Sequence, residues 1–315
     1  MVFKKSIYLF SIIFAMVLIG FIWIKTKNYD WVLIARSSVS CIRQLVAKKK
    51  YVKNYPAKFS LFVNYLKLLS TTNAKIQNKE SYFLSESVLD FTIHFSKKSN
   101  LYPLFDEIFL KQNYHFDAMT DAPFIIDCGG HIGMTTLYFK RVYPRAQILV
   151  FEPSSENFQL LTRNVENNKL KNVTIIQAAL SSQEGEALLY NPGRGEASID
   201  PTYKTAQAIE KVPTTILSKF INRDVDFLKL DIEGAETAVV EELAKQNKLR
   251  SVKEMIMEFH YDNKSINNSL STLLGVLEGN EFTYEISSNL ETPFGKLKKH
   301  NFLIHVYRDQ KTAHN

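Results

Sequence analysis

The chain has 315 residues, enough for one ordinary domain with additions or two small ones, and its 45% hydrophobic content supplies a sizeable core. Two cysteines, Cys41 and Cys128, with Cys128 in a predicted buried strand, argue against a disulfide; both read as plain thiols in a reducing compartment, neither catalytic. The net charge of +7 is uneven: residues 1–58 carry 11 Lys or Arg against one acid, Asp30, a net of +10, which leaves −3 for the rest and argues against nucleic acid as the partner.

Ser6 to Ile24 is almost wholly apolar and uncharged. At about 1.5 Å per residue it matches a hydrocarbon core of roughly 30 Å. A cleaved signal peptide is the competing reading, but the run is long for one and ends without a small-x-small cleavage site. Residues 1–27 are therefore expected to be a single-pass membrane anchor, with Trp23 at the interface. Arg36, Arg43, Lys48, Lys49, Lys50, Lys53 and Lys58 follow it, so the positive-inside rule places the C-terminal bulk in the cytoplasm. Residues 28–80 read as a basic, helical juxtamembrane segment. Within it Trp31–Ile34 and Phe59–Leu69 are amphipathic helices that lie on the bilayer or pack on the main domain. The turn-like Thr71-Thr72-Asn73 marks the boundary, and the main domain spans residues 81–315.

In that domain Val88 to Phe95 partly alternates and predicts a strand, and Leu101 to Leu110 predicts a helix. Tyr102, Phe105, Phe109, Tyr114 and Phe116 read as core. Phe124-Ile-Ile-Asp-Cys-Gly-Gly-His-Ile-Gly133 then gives an apolar strand, a glycine turn and a helix over residues 131–139, the opening of a nucleotide-binding βαβ unit. Gly129 and Gly130 let a ligand approach the backbone, and Gly133 lets the helix lie on the sheet. The pattern Asp-x-Gly-Gly-x-x-Gly is not the dinucleotide fingerprint. Asp127 at the strand tip repels a pyrophosphate and suits a cation, so S-adenosylmethionine, with a sulfonium and an ammonium, is preferred to NAD.

Ala146 to Pro153 is a second apolar strand ending in an acid. Glu152 lies where such folds place a ribose-binding carboxylate, which can accept from both vicinal hydroxyls. Ser154 is a candidate cap for a helix through Asn157–Val165. A third strand, Val173 to Gln177, brings Gln177, Ala178 and Ala179 toward the adenine edge. Gly185, Gly193-Arg194-Gly195 and Ser198 read as a polar loop covering the acceptor, with Arg194 or Ser198 framing its pocket. Asp226 to Glu236 is a strand ending at Asp231, a turn at Gly234 and a helix over Ala235–Leu243. Glu254 to Asp262 is another strand. Asp231 and Glu233, and again Glu258, His260 and Asp262, alternate onto one face at the carboxyl ends of successive strands, where open α/β sheets bind ligands.

Asp-Cys-Gly-Gly-His-Ile-Gly, Phe-Glu-Pro, Lys229-Leu-Asp-Ile-Glu-Gly-Ala-Glu236 and Glu258-Phe-His260, in this order, resemble the FkbM-type methyltransferases over roughly Tyr82 to Val306. His131 stands where that family usually has Asn, and Gly130 where it often has Ala. The resemblance implies an α/β, Rossmann-like seven-strand class I methyltransferase sheet with helices on both faces, closed by strands at Phe282–Ile286 and Asn301–Val306, one of them antiparallel. It also implies methyl transfer from S-adenosylmethionine to a hydroxyl, often of a sugar or other small metabolite, and the expected anchor adds a glycan or lipid-linked acceptor delivered at the bilayer. His260 is the first candidate for the base, with Asp231 or Glu258 to orient it and Glu233 toward the acceptor. A divalent cation held by Asp231, Glu233 and Glu258 is the variant reading. A membrane-anchored protein that kept the cofactor fold without catalysis is the alternative from another class.

Overall fold

The computed structural model describes residues 60–69, 83–97, 99, 101–191, 197–200, 207–262, 268–288 and 299–308. It divides into two compact units, Met1–Asn73 and Ala74–Asn315. In the first, the helix expected over Phe59–Leu69 is present over residues 60–69. The anchor expected at residues 1–27, and the rest of the basic segment, lie outside the described residues. Among the described residues no helix is long and apolar enough to cross a membrane.

The second unit opens on a hairpin, β1 (Phe83–Val88) and β2 (Phe91–Ser96), paired antiparallel from Phe83↔Ser96 to Val88↔Phe91. This corrects the single strand expected over Val88–Phe95. The chain reverses at Leu89, whose φ of +54° is a left-handed conformation that a leucine rarely adopts, so no glycine or asparagine announced the turn. The helix expected over Leu101–Leu110 is split. α1 (Leu101–Phe105) passes directly into a π-helical turn, Asp106–Leu110, and Phe105 stacks on Phe109 with ring centroids 5.1 Å apart.

The main sheet has seven strands. β3 (Phe124–Cys128), β4 (Gln147–Phe151), β5 (Val173–Ile176), β9 (Phe227–Leu230) and β10 (Glu254–Asp262) are parallel, while β12 (Lys299–Tyr307) runs antiparallel to both β10 and β11 (Thr283–Ser287). The order is β11-β12-β10-β9-β3-β4-β5. β3 and β9 are buried along almost their whole length, as parallel strands covered on both faces must be. The helices α2 (Met134–Val142), α3 (Ser155–Asn167), α4 (Glu236–Lys245) and α5 (Leu270–Gly279) form the crossovers. This is the Rossmann-like class I methyltransferase arrangement. The winding reverses between β3 and β9, and the crevice at a reversal of this kind, outside the carboxyl ends of the strands, is where open α/β sheets bind ligands.

The core on one face includes Leu228, Met257, Phe259, Val240 and Ile304, all buried. On the approach to β3, Phe116 lies flat on Phe227 with centroids 4.3 Å apart and meets Phe139 edge-on. Phe105, Phe109 and Phe116 are thus core, as expected.

The segment expected to be a polar acceptor loop is instead a second, three-stranded sheet: β6 (Ala179–Leu180), β8 (Gln207–Thr215) and β7 (Gly185–Asn191), in that order. Leu189 and Val212 alternate inward and are buried, a period-2 pattern hidden among polar neighbours. Ser198 bridges to Tyr190, and Arg194 lies outside the described residues. Ser154 stands at the N-cap of α3, but its side chain makes no capping bond.

Candidate active site

A cavity of about 390 Å³ opens over the reversal point. Of the residues expected to bind the cofactor, Gly129, Gly130, His131, Glu152, Ala178 and Ala179 line it. Asp231, Glu233 and Glu258, expected at the acceptor, line it as well. The main-chain turn explains its own glycines. A Cβ on Gly129, whose φ is +87°, would sit 1.9 Å from the Asp231 carbonyl oxygen, and one on Gly130 would sit 2.2 Å from Val150 Cγ1. The N–H groups of both glycines donate to the Phe151 carbonyl, at 3.0 and 2.9 Å, so neither is left to cradle a phosphate. His131 has φ +49°, a conformation in which Asn, Asp and His are enriched, and this is why His can stand where the resembled family has Asn. Helix α2 therefore starts at Met134, three residues later than expected.

Glu152 is buried at the wall. Its Oε2 accepts from the His131 N–H at 2.8 Å, and its Oε1 accepts from the Ser154 N–H at 3.0 Å and the Asn157 Nδ2 at 3.4 Å. Burial raises the carboxyl to about 7, against the pull of these donors. Burial also lowers His131 to about 4, so its ring is neutral, and its Nε2 has no hydrogen-bond partner among the described residues.

Several expected contacts are corrected. Asp127 does not reach the cavity. It is fully buried behind the turn, its Oδ2 accepting from Thr135 Oγ1 at 2.5 Å and Thr136 Oγ1 at 3.3 Å, with Lys229 Nζ 3.3 Å from its Oδ1. Its charge is therefore met by a lysine before any ligand arrives. Gly133 packs against Leu161 and supports the helix without lining the cavity. Gln177 donates to Ser155 Oγ at 2.9 Å and does not line the cavity. Ser198 is buried and donates to the Glu233 carbonyl, so it shapes the Glu233 turn and does not frame an acceptor.

Lys229 was missed as a site residue, although a lysine inside the apolar strand Phe227–Leu230 was a visible signal. Its Nζ is 3.3 Å from both Asp127 and Asp231 and donates to the Gly129 carbonyl at 2.8 Å, tying β9 to the glycine turn. Burial opposes its charge, but the two aspartates outweigh burial and hold it protonated well above the usual lysine range. Tyr114 was read as core. It is buried, but its hydroxyl donates to Asp231 Oδ2 at 3.1 Å and to Glu258 Oε2 at 3.3 Å. Burial, then these acids, raise its phenol well above the ordinary value.

His260 is set one layer behind the wall. Its Nδ1 is 2.9 Å from Glu236 Oε1, and its Nε2 faces Glu233 Oε2 at 3.3 Å and Asp231 and Glu258 at 3.9 Å each. Burial opposes its charge, yet Glu233, Glu236 and Asp231 together raise it well above the usual histidine value. Glu233, Glu236 and Asp231 thus favour the protonated form of His260, which works against the role of base expected of it. Asp231 is pushed up by burial but held below its ordinary range by Lys229 and His260; burial and Asp231 raise Glu258. Asp231, Glu233 and His260, rather than Asp231, Glu233 and Glu258, are the group whose ligand atoms lie close enough, within 4.8 Å, to share a cation.

Residues 127–286, about half of the chain, match the model of the methyltransferase FkbM domain. "Methyltransferase 1" of Beauveria bassiana (strain ARSEF 2860) is 31% identical over 177 residues, which cover 48% of this chain and 71% of the relative. "Methyltransferase sdnD" of Sordaria araneosa is 30% identical over 172 residues, covering 44% and 66%. Among solved structures, M. jannaschii TYW2 in complex with AdoMet superposes over 74% of this chain and 89% of its own, with 12% identity and a TM-score of 0.41. StiE O-MT does so over 64% and 74%, with 10% identity and a TM-score of 0.42. Such loose superpositions carry no weight beside the strand order itself. From the matched domain and the two fungal relatives, the chain belongs to the FkbM methyltransferase family and is an S-adenosylmethionine-dependent methyltransferase.

Proposed function

We propose that the protein transfers a methyl group from S-adenosylmethionine to a hydroxyl oxygen, with the cofactor's ribose on Glu152 and the acceptor against Asp231, Glu233 and Glu258. One observation carries this reading. One cavity is bounded at the end of β4 by one buried carboxylate and, at the end of β9 and on the neighbouring β10, by a cluster of three. The two oxygens of Glu152 suit the two hydroxyl donors of a ribose. Ala178 and Ala179 leave a smooth apolar surface beside it for a base. The described wall adds no phosphate cradle, since the glycine N–H groups are taken, and this favours a nucleoside carrying a sulfonium over a dinucleotide.

The transfer itself is an in-line displacement, in which the acceptor oxygen attacks the methyl carbon and the sulfur leaves with the bonding pair. Holding the two reactants in line supplies most of the acceleration. On this reading Asp231 and Glu258 accept hydrogen bonds from the acceptor's hydroxyls, and Tyr114 and His260 fix the two carboxylates in place. The acceptor class proposed is a small metabolite, glycan or lipid-linked hydroxyl. The apolar run at Ser6–Ile24 and the basic residues after it suit delivery of that acceptor at the cytoplasmic face of a membrane. Incubation of the full chain with methyl-labelled S-adenosylmethionine and a membrane extract tests the reading. The expected product is an alkali-stable labelled ether; label appearing only on nitrogen or carbon would refute O-transfer.

A further inference from the structure

We propose that Glu107 is the group that takes the proton from the acceptor hydroxyl, an inference that rests on reading the cavity as a site of O-methyl transfer. Glu107 lies before the matched domain, on the π-helical turn Asp106–Leu110. That turn buries Ile108, Phe109 and Leu110 and leaves Glu107 on the cavity wall with Tyr114, Asp231 and Glu258. Stacking of Phe105 on Phe109, and the edge of Phe109 against Tyr138, hold the turn in register. π-Helical turns of this kind recur at functional sites, because the extra residue re-aims a side chain.

Spare hydrogen-bonding capacity separates Glu107 from its neighbours. Asp231 Oδ2 is occupied by Tyr114 and lies 3.3 Å from Lys229, and its Oδ1 faces His260. Glu258 accepts from Tyr114 at Oε2 and from Asn301 Nδ2 at Oε1, the latter at 2.7 Å. Glu107 accepts one long bond, 3.3 Å from Asn113 Nδ2, at Oε1, and its Oε2 has no donor among the described residues. The charges that face it are Asp231 and Glu258 across the cavity, and Asp106 and Lys111 on its own stretch of chain, with the Tyr114 phenol beside them. Lys111 is engaged by Asp106 at 2.9 Å. Burial first, then Glu258 and Asp231, raise Glu107 to about 7, so it is ionised near neutrality yet basic enough to bind a proton.

The step balances. The acceptor oxygen forms the new O–CH₃ bond and gives its proton to Glu107 Oε2. The S–CH₃ bond breaks, and its electron pair stays on sulfur as a neutral thioether. Glu107 then releases the proton to solvent.

The test uses the full chain, methyl-labelled S-adenosylmethionine and a membrane extract as the source of acceptor, with initial rates from pH 5.5 to 9 at saturating cofactor. In the wild type the rate is expected to rise with pH and level off above about 7. Glu107→Gln is expected to lower the saturated rate by about 100-fold or more and to abolish that acid limb. Cofactor affinity, read by calorimetry, should stay within about twofold, which also reports that the variant is folded, and Glu107→Asp should recover part of the rate and the limb. A Glu107→Gln variant with a near wild-type rate, or one that is slow but keeps the acid limb, would overturn the assignment while leaving O-methyl transfer intact. A wild type that binds the cofactor but labels no hydroxyl would overturn both.

Discussion

The two walls of the cavity meet charge in different ways. On the cofactor wall Glu152 is in no ion pair among the described residues: two main-chain N–H groups and an asparagine amide satisfy it, and burial raises its carboxyl to about 7 against these donors and the more distant Lys229 charge. On the acceptor wall the carboxylates are met by full charges, Lys229 between Asp127 and Asp231, and His260 among Asp231, Glu233, Glu236 and Glu258. The first wall is cheap to discharge and waits for hydroxyl donors. The second is bound into ion pairs, and it breaks if one partner is removed. Glu107 belongs in space to the second wall but electrostatically to the first: burial, Glu258 and Asp231 raise it to about 7, and Lys111 offsets them only in part.

This difference is sharpest at Lys229. Lys229→Met leaves Asp127 and Asp231 facing each other in the interior, and the protein should lose about 3–5 kcal/mol of stability by urea unfolding. A loss below about 1 kcal/mol would mean that the two walls do not differ as described. Gly129→Ala comes next. The added methyl meets the Asp231 carbonyl, and the left-handed backbone is strained as well, for a combined cost of about 3 kcal/mol by the same measurement. The cofactor wall answers to pH instead. The free Glu152 carboxyl is raised to about 7, while a bound ribose diol favours its ionised form, so binding is accompanied by proton loss below that pH. S-adenosylmethionine affinity should therefore fall about tenfold between pH 8 and pH 6, read by calorimetry, and stay flat above pH 8. The same shift has a stability sign. Because the folded value lies above the unfolded one, the contribution of Glu152 is most favourable below about pH 4.5 and is lost as pH rises through about 7.

How much of each wall could be read in advance follows the same division. The cofactor wall is local: Gly129, Gly130, His131 and Glu152 lie within one βαβ unit, and contiguous motifs located them. Most strands of the main sheet followed from apolar runs that alternate with helical periods, and the seven-strand sheet from the resemblance to the FkbM-type methyltransferases. The acceptor wall is assembled across the chain, with Tyr114 117 residues from Asp231 and 144 from Glu258. Nothing around Glu107 or Tyr114 marked them, because an acid in a short helix and a tyrosine among core aromatics look ordinary until the fold brings β9 and β10 beside them. Asp127 was misread for a related reason. The strand-tip acid was visible, but the lysine that neutralises it comes from another strand. The β7–β8 pair was missed because, among the described residues, its fully buried apolar side chains are Leu189 and Val212, too few to stand out from a polar stretch.

The central claim is that Glu152 receives the ribose of a sulfonium-bearing nucleoside. Calorimetry of the full chain with S-adenosylmethionine at pH 8, for the wild type and for Glu152→Gln, tests it most directly. Two hydrogen bonds to a charged group put the expected loss in the variant at about 2 kcal/mol or more, roughly thirtyfold in affinity, with S-adenosylhomocysteine behaving alike. Equal affinity in the two proteins, or tighter binding of NAD than of S-adenosylmethionine by the wild type, would contradict it.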